Sequence, residues 1–374
     1  MRVALISPLF ESVPPKLYGG TERVVYNLCR GLTESNIEVT LFASADSVTE
    51  GKLVPVIDEA LRLRTPPVDE PSFHVFRMLS MIAQRAHEFD VIHNHNDYWM
   101  LPLTEMTRTP VVTTLHGRLD LPDLKHVLSG FPKAQYVSIS DSQRQPVPGL
   151  PWARTIHHGI DVQALKFHEK PGKYLAFLGR IDAEKRPDWA IEIAKRSGVP
   201  LKIAAKIEGK KGQDYFDTAI KPHIDGKFIE FIGEISETEK SEFLGQALAL
   251  AFPIDWPEPF GLVVIESLAC GTPVLTRPCG SMPELLCEGV TGFSHLDVTL
   301  LAERVHDLPK LNRAKCRDWV QQRFSLERMA EDYIHVYRRI AELAERTRTG
   351  KTYGADSYRR NFLYPVQRVA DGDS

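Results

Sequence analysis

The stretch Pro257-Glu258-Pro259-Phe260-Gly261-Leu262-Val263-Val264-Ile265-Glu266 decides how the rest of the chain is read. It sets two carboxylates on either side of a Pro-Phe-Gly turn and the apolar opening of a helix. A helix start exposes unpaired backbone N–H groups and the positive end of the helix dipole. Such a terminus receives phosphate oxygens or sugar hydroxyls. A carboxylate beside it accepts two hydroxyl hydrogen bonds at once, as vicinal hydroxyls offer them. The run continues Ser267-Leu268-Ala269-Cys270-Gly271-Thr272-Pro273-Val274-Leu275-Thr276. Gly271 reads as the helix C-cap and Pro273 forbids continuation, so Val274 to Thr276 is a short strand.

Upstream, Leu248 to Pro253 reads as the strand that feeds this motif. Tyr174 to Leu178 is another strand, followed by Gly179-Arg180-Ile181-Asp182-Ala183-Glu184-Lys185-Arg186-Pro187. Pro187 suits the first turn of a helix carrying Trp189, Ala190, Ile193 and Ala194. Arg180 and Lys185 are then expected on one loop at a strand's carboxyl end. Two cations there clamp a diphosphate, unless they belong to a solvated face. Val199 to Ala205 is a strand ending at Lys206, a phosphate contact or a surface charge. Lys227 to Gly233 is a strand leading to Glu234-Ile235, and Ser236 with Glu239 forms a capping box. Strand and helix alternate, as in a parallel sheet.

The first half repeats the pattern. Val3 to Ser7 is a strand, followed by a Pro-rich loop and Tyr18-Gly19-Gly20-Thr21-Glu22-Arg23. No Gly-x-Gly-x-x-Gly follows that strand, so a dinucleotide site is not indicated. The Gly19-Gly20 pair lets backbone approach a ligand or makes a plain turn. Thr21 is the expected cap of a helix with Val24, Val25, Leu28 and Leu32 on its buried face. Ile37 to Ala43 is the next strand. Ser72 to Phe89 reads as a helix burying Phe76, Leu79, Ile82, Ala83 and Ala86. Asp90 to Asp97 is a strand running into a polar loop, and Pro110 to Gly117 a strand ending in His116. His93, His95 and Asp97, with His116, could hold a metal; hydrogen-bonding roles are the preferred reading. Ala134 to Ser140 is a further strand. Thr155 to Asp161 marks a hinge.

At 374 residues, two domains are expected. Hydrophobic residues make up 43%, charged residues 25%, and the net charge is -3, which suits an ordinary soluble protein without a nucleic-acid partner. No apolar run has membrane-spanning length, and Met1 to Pro8 is too short for a signal peptide. The five cysteines lack Cys-x-x-Cys spacing and read as reduced thiols of a cytoplasmic protein.

Glu258 and Glu266 followed by Ala-Cys-Gly-Thr-Pro-Val, together with Gly179-Arg180 and Lys185, resemble the signature of a known family. It is that of the retaining nucleotide-sugar glycosyltransferases of family 4, the glycosyl transferases group 1. Cys279-Gly280-Ser281-Met282-Pro283-Glu284 resembles a further turn of the same family, with Ser281 in place of a glycine. The likeness spans residues 2 to 340. It implies an α/β, GT-B fold: two doubly wound parallel-sheet, Rossmann-like domains facing a cleft, the last helix crossing back to the first. The implied divisions are an acceptor-side domain at 1–163, a nucleotide-sugar domain at 164–324, a crossover helix at 325–346 and a tail at 347–374.

The resemblance also implies roles. Glu258 would contact the donor sugar and Glu266 the ribose. His116 would offer its side chain to a sugar hydroxyl and its backbone carbonyl to the anomeric centre. Arg180 and Lys185 would take the diphosphate, helped by the amides around Phe260, Gly261 and Leu262. Gly19 and Gly20 would reach the donor phosphates or the acceptor, and Ile235 lies where the base is seated. No cofactor or metal is implied, because the cations replace a divalent ion, and no Asp-x-Asp stands where such an ion would bridge phosphates. The implied reaction moves a hexose from a UDP- or GDP-sugar to a hydroxyl of a sugar, lipid-linked or small-molecule acceptor, with retention. A phosphorylase-like or sugar-phosphate reaction and a non-catalytic sugar-nucleotide binder remain open, with an isomerase more distant. So do peripheral membrane association and a homo-oligomer. His158 stands where the family usually has asparagine.

Overall fold

The computed structural model describes residues 1–16 and 19–349. The expected tail beyond Thr349 lies outside the described residues.

Two all-parallel sheets organise the chain. The first holds β1 (Arg2–Ile6), β2 (Glu38–Ser44), β3 (Lys52–Ile57), β4 (Val91–Asn94), β5 (Val111–Thr114), β6 (Gln135–Ser138) and β7 (Trp152–Thr155), in the order β3-β2-β1-β4-β5-β6-β7. The second holds β8 (Leu175–Arg180), β9 (Leu201–Lys206), β10 (Ile229–Gly233), β11 (Ala249–Phe252), β12 (Val274–Thr276) and β13 (Gly292–Ser294), in the order β10-β9-β8-β11-β12-β13. The central strands β4, β5 and β11 are buried along their whole length; β11 reads as an unbroken apolar run, while β4 and β5 end in buried polar residues, His93, Asn94, Thr113 and Thr114. Strand order reverses beside β1 and beside β8. A crevice opens at the carboxyl ends of the strands at each such point.

The sequence pattern does not announce β3 and β7. Both are outermost strands. The missing N–H of Pro55 is tolerated at an edge, and β7 is only partly buried.

Local chemistry sets the helix ends. Pro187 opens the helix Pro187–Ser197. Gly271 follows the Leu262–Ala269 helix with φ of +86°, and its N–H reaches the Leu268 carbonyl at 2.9 Å. The expected cap at Thr21 is not made. The helix already begins at Gly20, and the Arg23 N–H closes its first turn on the Gly19 carbonyl at 3.2 Å. The helix Ser72–Arg85 is also turned from the expected face. It buries Val75, Met78 and Ile82, while Phe76 is 61% exposed. Stripes one residue apart share the same helical spacing. The observed one fills the space beside Phe42, Val56 and Phe89.

The helix Leu326–Thr349 crosses to the first domain. Met329, Ala330, Tyr333, Tyr337 and Ile340 pack in one core with Val3, Leu5, Val24 and Leu28. A Cβ on Gly31 would lie 2.8 Å from that of Ala330, so glycine permits this close helix contact. The crossing is pinned where Ile160 and Ser325 form an isolated bridge. Among the described residues, no helix is long and apolar enough to cross a membrane.

Candidate active site

A cleft of about 460 Å³ lies between the two sheets, lined from both domains. Every residue to which the resemblance gives a role borders it. Gly19 and Gly20 enter from the first domain, and the nearest atom to a Cβ on Gly20 would be Leu262 Cδ1 at 3.8 Å. The glycine loop therefore lies against the start of the Leu262–Ala269 helix.

The Glu258 loop is rigidly backed. Gly261 has φ of +91° and forms the N-cap of that helix. A Cβ on Gly280 (φ +59°) would come within 2.3 Å of the Glu258 backbone nitrogen. Ser281, which stands where the family has glycine, supplies a hydroxyl instead. Its Oγ–H donates to the Phe260 carbonyl, and its N–H donates to the Glu258 carbonyl at 3.0 Å. Glu284 ties the same turn to the first domain by accepting the Asp141 and Ser142 N–H groups at 2.8 and 2.9 Å. Burial opposes its charge, but His157 and those two N–H groups outweigh it and hold its pKa below the ordinary value. Ser140 donates to the Pro259 carbonyl at 2.7 Å.

Glu258 is ion-paired with Lys185 and accepts the Trp256 indole N–H at 2.7 Å, both on Oε2. The Lys185 ammonium also lies 4.7 Å from the Trp256 ring centroid. Arg180 does not share the Lys185 loop as expected. Strand β8 extends two residues further, so Arg180 is its last residue and pairs in register with Lys206 at the end of β9. Both cations approach Glu208, at 3.6 and 3.5 Å. The cleft floor thus carries Arg180, Lys185 and Lys206 beside a helix N-terminus.

Glu266 is buried and paired with Lys240 at 2.8 Å; Lys240 also meets Glu237, which meets Arg23 at 3.0 Å across the cleft. Burial works against the Lys240 ammonium, and its two carboxylates outweigh that and raise its pKa. Lys240, Trp256 and Arg23 escaped the sequence reading. Trp256, an aromatic two residues before Glu258, was the one local signal. Lys240 reaches Glu266 only through the packing of two helices.

His116 follows β5, with its backbone N–H on Asp97 Oδ1 at 3.1 Å. Its ring stacks on that of His158 at 5.2 Å between centroids, and the edge of Phe260 meets His158. Burial pushes the His116 pKa down to about 3 and holds His93, His95 and His158 neutral. The ring nitrogens of His93 and His95 hydrogen-bond to Tyr337, Thr114, His116 and each other. Among the described residues, no group of three His, Cys, Asp or Glu is arranged to hold a metal ion. Opposite the cations, the first domain contributes Glu11, Glu22 and Arg62. Arg62 pairs with Glu11 at 2.7 Å, and burial raises the Glu22 pKa to about 7.

The model of the glycosyl transferases group 1 matches residues 162–323, and that of glycosyltransferase family 4 matches residues 18–176. Glycogen synthase of Mycobacterium tuberculosis is 26% identical over 348 residues, covering 79% of this chain and 82% of its own. Sucrose-phosphate synthase of Thermosynechococcus elongatus shares the fold with a TM-score of 0.74 at 18% identity, over 91% of this chain and 98% of that one. Anabaena Alr3699/HepE in complex with UDP-glucose does so with a TM-score of 0.66 at 17% identity, over 92% and 99%. The family matches overlap at the link between the two sheets and together run from residue 18 to residue 323, so the chain belongs to the family 4, group 1 glycosyltransferases.

Proposed function

We propose that this chain is a retaining, metal-independent hexosyltransferase that moves a hexose from a nucleotide diphosphate sugar to an acceptor hydroxyl. One observation carries the reading: Arg180, Lys185 and Lys206 line the same cleft as His116 and the N-terminus of the Leu262–Ala269 helix. Charge develops on the diphosphate as the sugar leaves, and fixed cations and N–H groups stabilise it there. A UDP-sugar is the first donor to test, since the HepE complex holds UDP-glucose. The acceptor enters from the side of Glu11 and Glu22, whose carboxylates suit hydroxyls. We place the reaction in the cytoplasm, where the five free cysteines stay reduced. Incubation with nucleotide sugars and candidate acceptors, with the product anomer read by NMR, tests the reading. Glycosyl phosphate formed only with inorganic phosphate would favour the phosphorylase alternative, and an inverted product would remove retention.

Two predictions follow the geometry. Activity should survive EDTA, since cations already face the diphosphate; loss restored by Mg²⁺ or Mn²⁺ would overturn metal independence. The glutamates should separate. Glu258→Gln keeps a group for the Trp256 N–H but loses the charge beside the transferring sugar. It should lower kcat roughly 10²-fold while free nucleoside diphosphate binds as before. Glu266→Gln should weaken the diphosphate roughly tenfold, the scale of one charged hydrogen bond, with a smaller effect on kcat. Titration of both variants with free nucleoside diphosphate checks this, and the reverse pattern would exchange the two roles.

A further inference from the structure

A buried chain of hydrogen bonds runs from the crossover helix to the cleft. The Tyr337 hydroxyl lies 2.6 Å from Nδ1 of His93. That same Nδ1 is 3.2 Å from Nε2 of His95, whose Nδ1 is 2.9 Å from Nε2 of His116. On the other side, Nε2 of His93 lies 2.8 Å from Thr114 Oγ1, itself 2.9 Å from the Tyr333 hydroxyl. Tyr333, Tyr337, His93, His95 and Thr114 are all fully buried.

We propose that Tyr337, His93 and His95 are positioning residues that fix the orientation and the tautomer of His116, presenting its Nδ1 as a hydrogen-bond acceptor to a substrate hydroxyl. The proposal rests on the transferase reading of the cleft. A neutral imidazole carries one N–H and one lone pair, so each ring dictates the next. The direction is set at Tyr337. Among the described residues, Nδ1 of His93 is the partner of its hydroxyl. A phenol is a stronger donor than an alcohol and makes the shorter bond to His93, 2.6 Å against 2.8 Å at Thr114, so Tyr337 donates and Thr114 accepts. Nδ1 of His93 is then an acceptor, and its Nε2–H donates to Thr114. An unprotonated Nε2 on His95 would set lone pair against lone pair at 3.2 Å, so His95 carries its proton there and shares the His93 Nδ1 lone pair as the longer, weaker donor. Its Nδ1 therefore accepts from His116 Nε2–H, and the Nδ1 lone pair of His116 remains for a ligand. Burial keeps the rings neutral and the phenol protonated, as the chain requires. His158 stacked on His116 restrains the ring plane.

The test combines two-bond ¹H–¹⁵N NMR of histidine-labelled full-length protein with kinetics. In the parent protein His93, His95 and His116 should all show Nε2–H. Tyr337→Phe removes the donor, and His116 should shift to a mixture of tautomers. In the same variant kcat should fall roughly tenfold, with KM for the donor and affinity for free nucleoside diphosphate unchanged. Thr114→Val, which removes the acceptor of the His93 Nε2–H, should move His116 in the same direction and serves if Tyr337→Phe folds poorly. Nδ1–H on His116 of the parent, or an unmoved tautomer in folded variants, would overturn the proposal. The expected tautomers without transfer from any nucleotide sugar would instead overturn the transferase reading and leave the hydrogen-bonded chain standing.

Discussion

Lys185→Ala should lower the maximal rate of sugar transfer roughly 10²-fold or more, and Arg180→Ala by a similar factor. Lys185 is the more informative of the two. It is 8% exposed and ion-paired with Glu258, so its charge sits where water screens it poorly. Removing it takes a cation from the leaving diphosphate and also leaves the Glu258 carboxylate without its counter-charge. The two losses share one partner and should not add. Lys185→Ala combined with Glu258→Gln should be less damaging than the product of the single effects. At Arg180 the forked guanidinium matters as well as the charge, so Arg180→Lys should recover little activity. Single-turnover rates at saturating donor, with a melting curve to confirm folding, are the measurement. Near-normal turnover in either alanine variant would place the diphosphate elsewhere in the cleft.

Much of this site was legible because its residues carry local constraints. Gly261 needs a left-handed backbone, Pro187 opens a helix, and Ser236 with Glu239 closes a capping box, whose Ser236 N–H meets the Glu239 carboxylate at 2.9 Å. Each lies within a few residues of the group it positions, so spacing alone reveals it. The partners of those groups were not legible. Lys240 meets Glu266 across 26 positions, and Arg23 meets Glu237 only once the domains face each other. Pro55 interrupts β3 and β7 is only partly buried, so neither leaves a clear strand pattern. The histidines show the limit most clearly. Spacing admits His93, His95, Asp97 and His116 as metal ligands, and the preference for hydrogen-bonding roles rests on general grounds with no partner in view. The choice depends on Tyr337, which is 244 positions from His93.

The same buried rings predict that the fold fails in mild acid. His93, His95, His116 and His158 have pKa values held below the ordinary 6.5 by burial. A group whose folded pKa is depressed contributes stability above its unfolded value and loses it as pH falls. Each unfolded ring takes up a proton below about pH 6.5, which increasingly favours unfolding as pH falls. Two carboxyls oppose this. Burial raises Glu22 to about 7 and Asp97 to about 6, so the folded protein holds their protons more tightly and gains as pH falls. Their offset is on the order of 4 kcal/mol between pH 7.5 and pH 5. Four rings stand against two carboxyls, so the net effect is a loss of stability as pH falls toward 5. Unfolding at pH 5 should therefore take up protons, measurable by calorimetry in buffers of different ionisation enthalpy. Stability should drop over the same interval. Glu22→Gln removes one opposing group and should steepen the acid loss rather than relieve it. A flat profile from pH 7.5 to pH 5 would mean that the rings accept protons in place, and a protonated His95 would donate from Nδ1 to His116 Nε2 and reverse its tautomer.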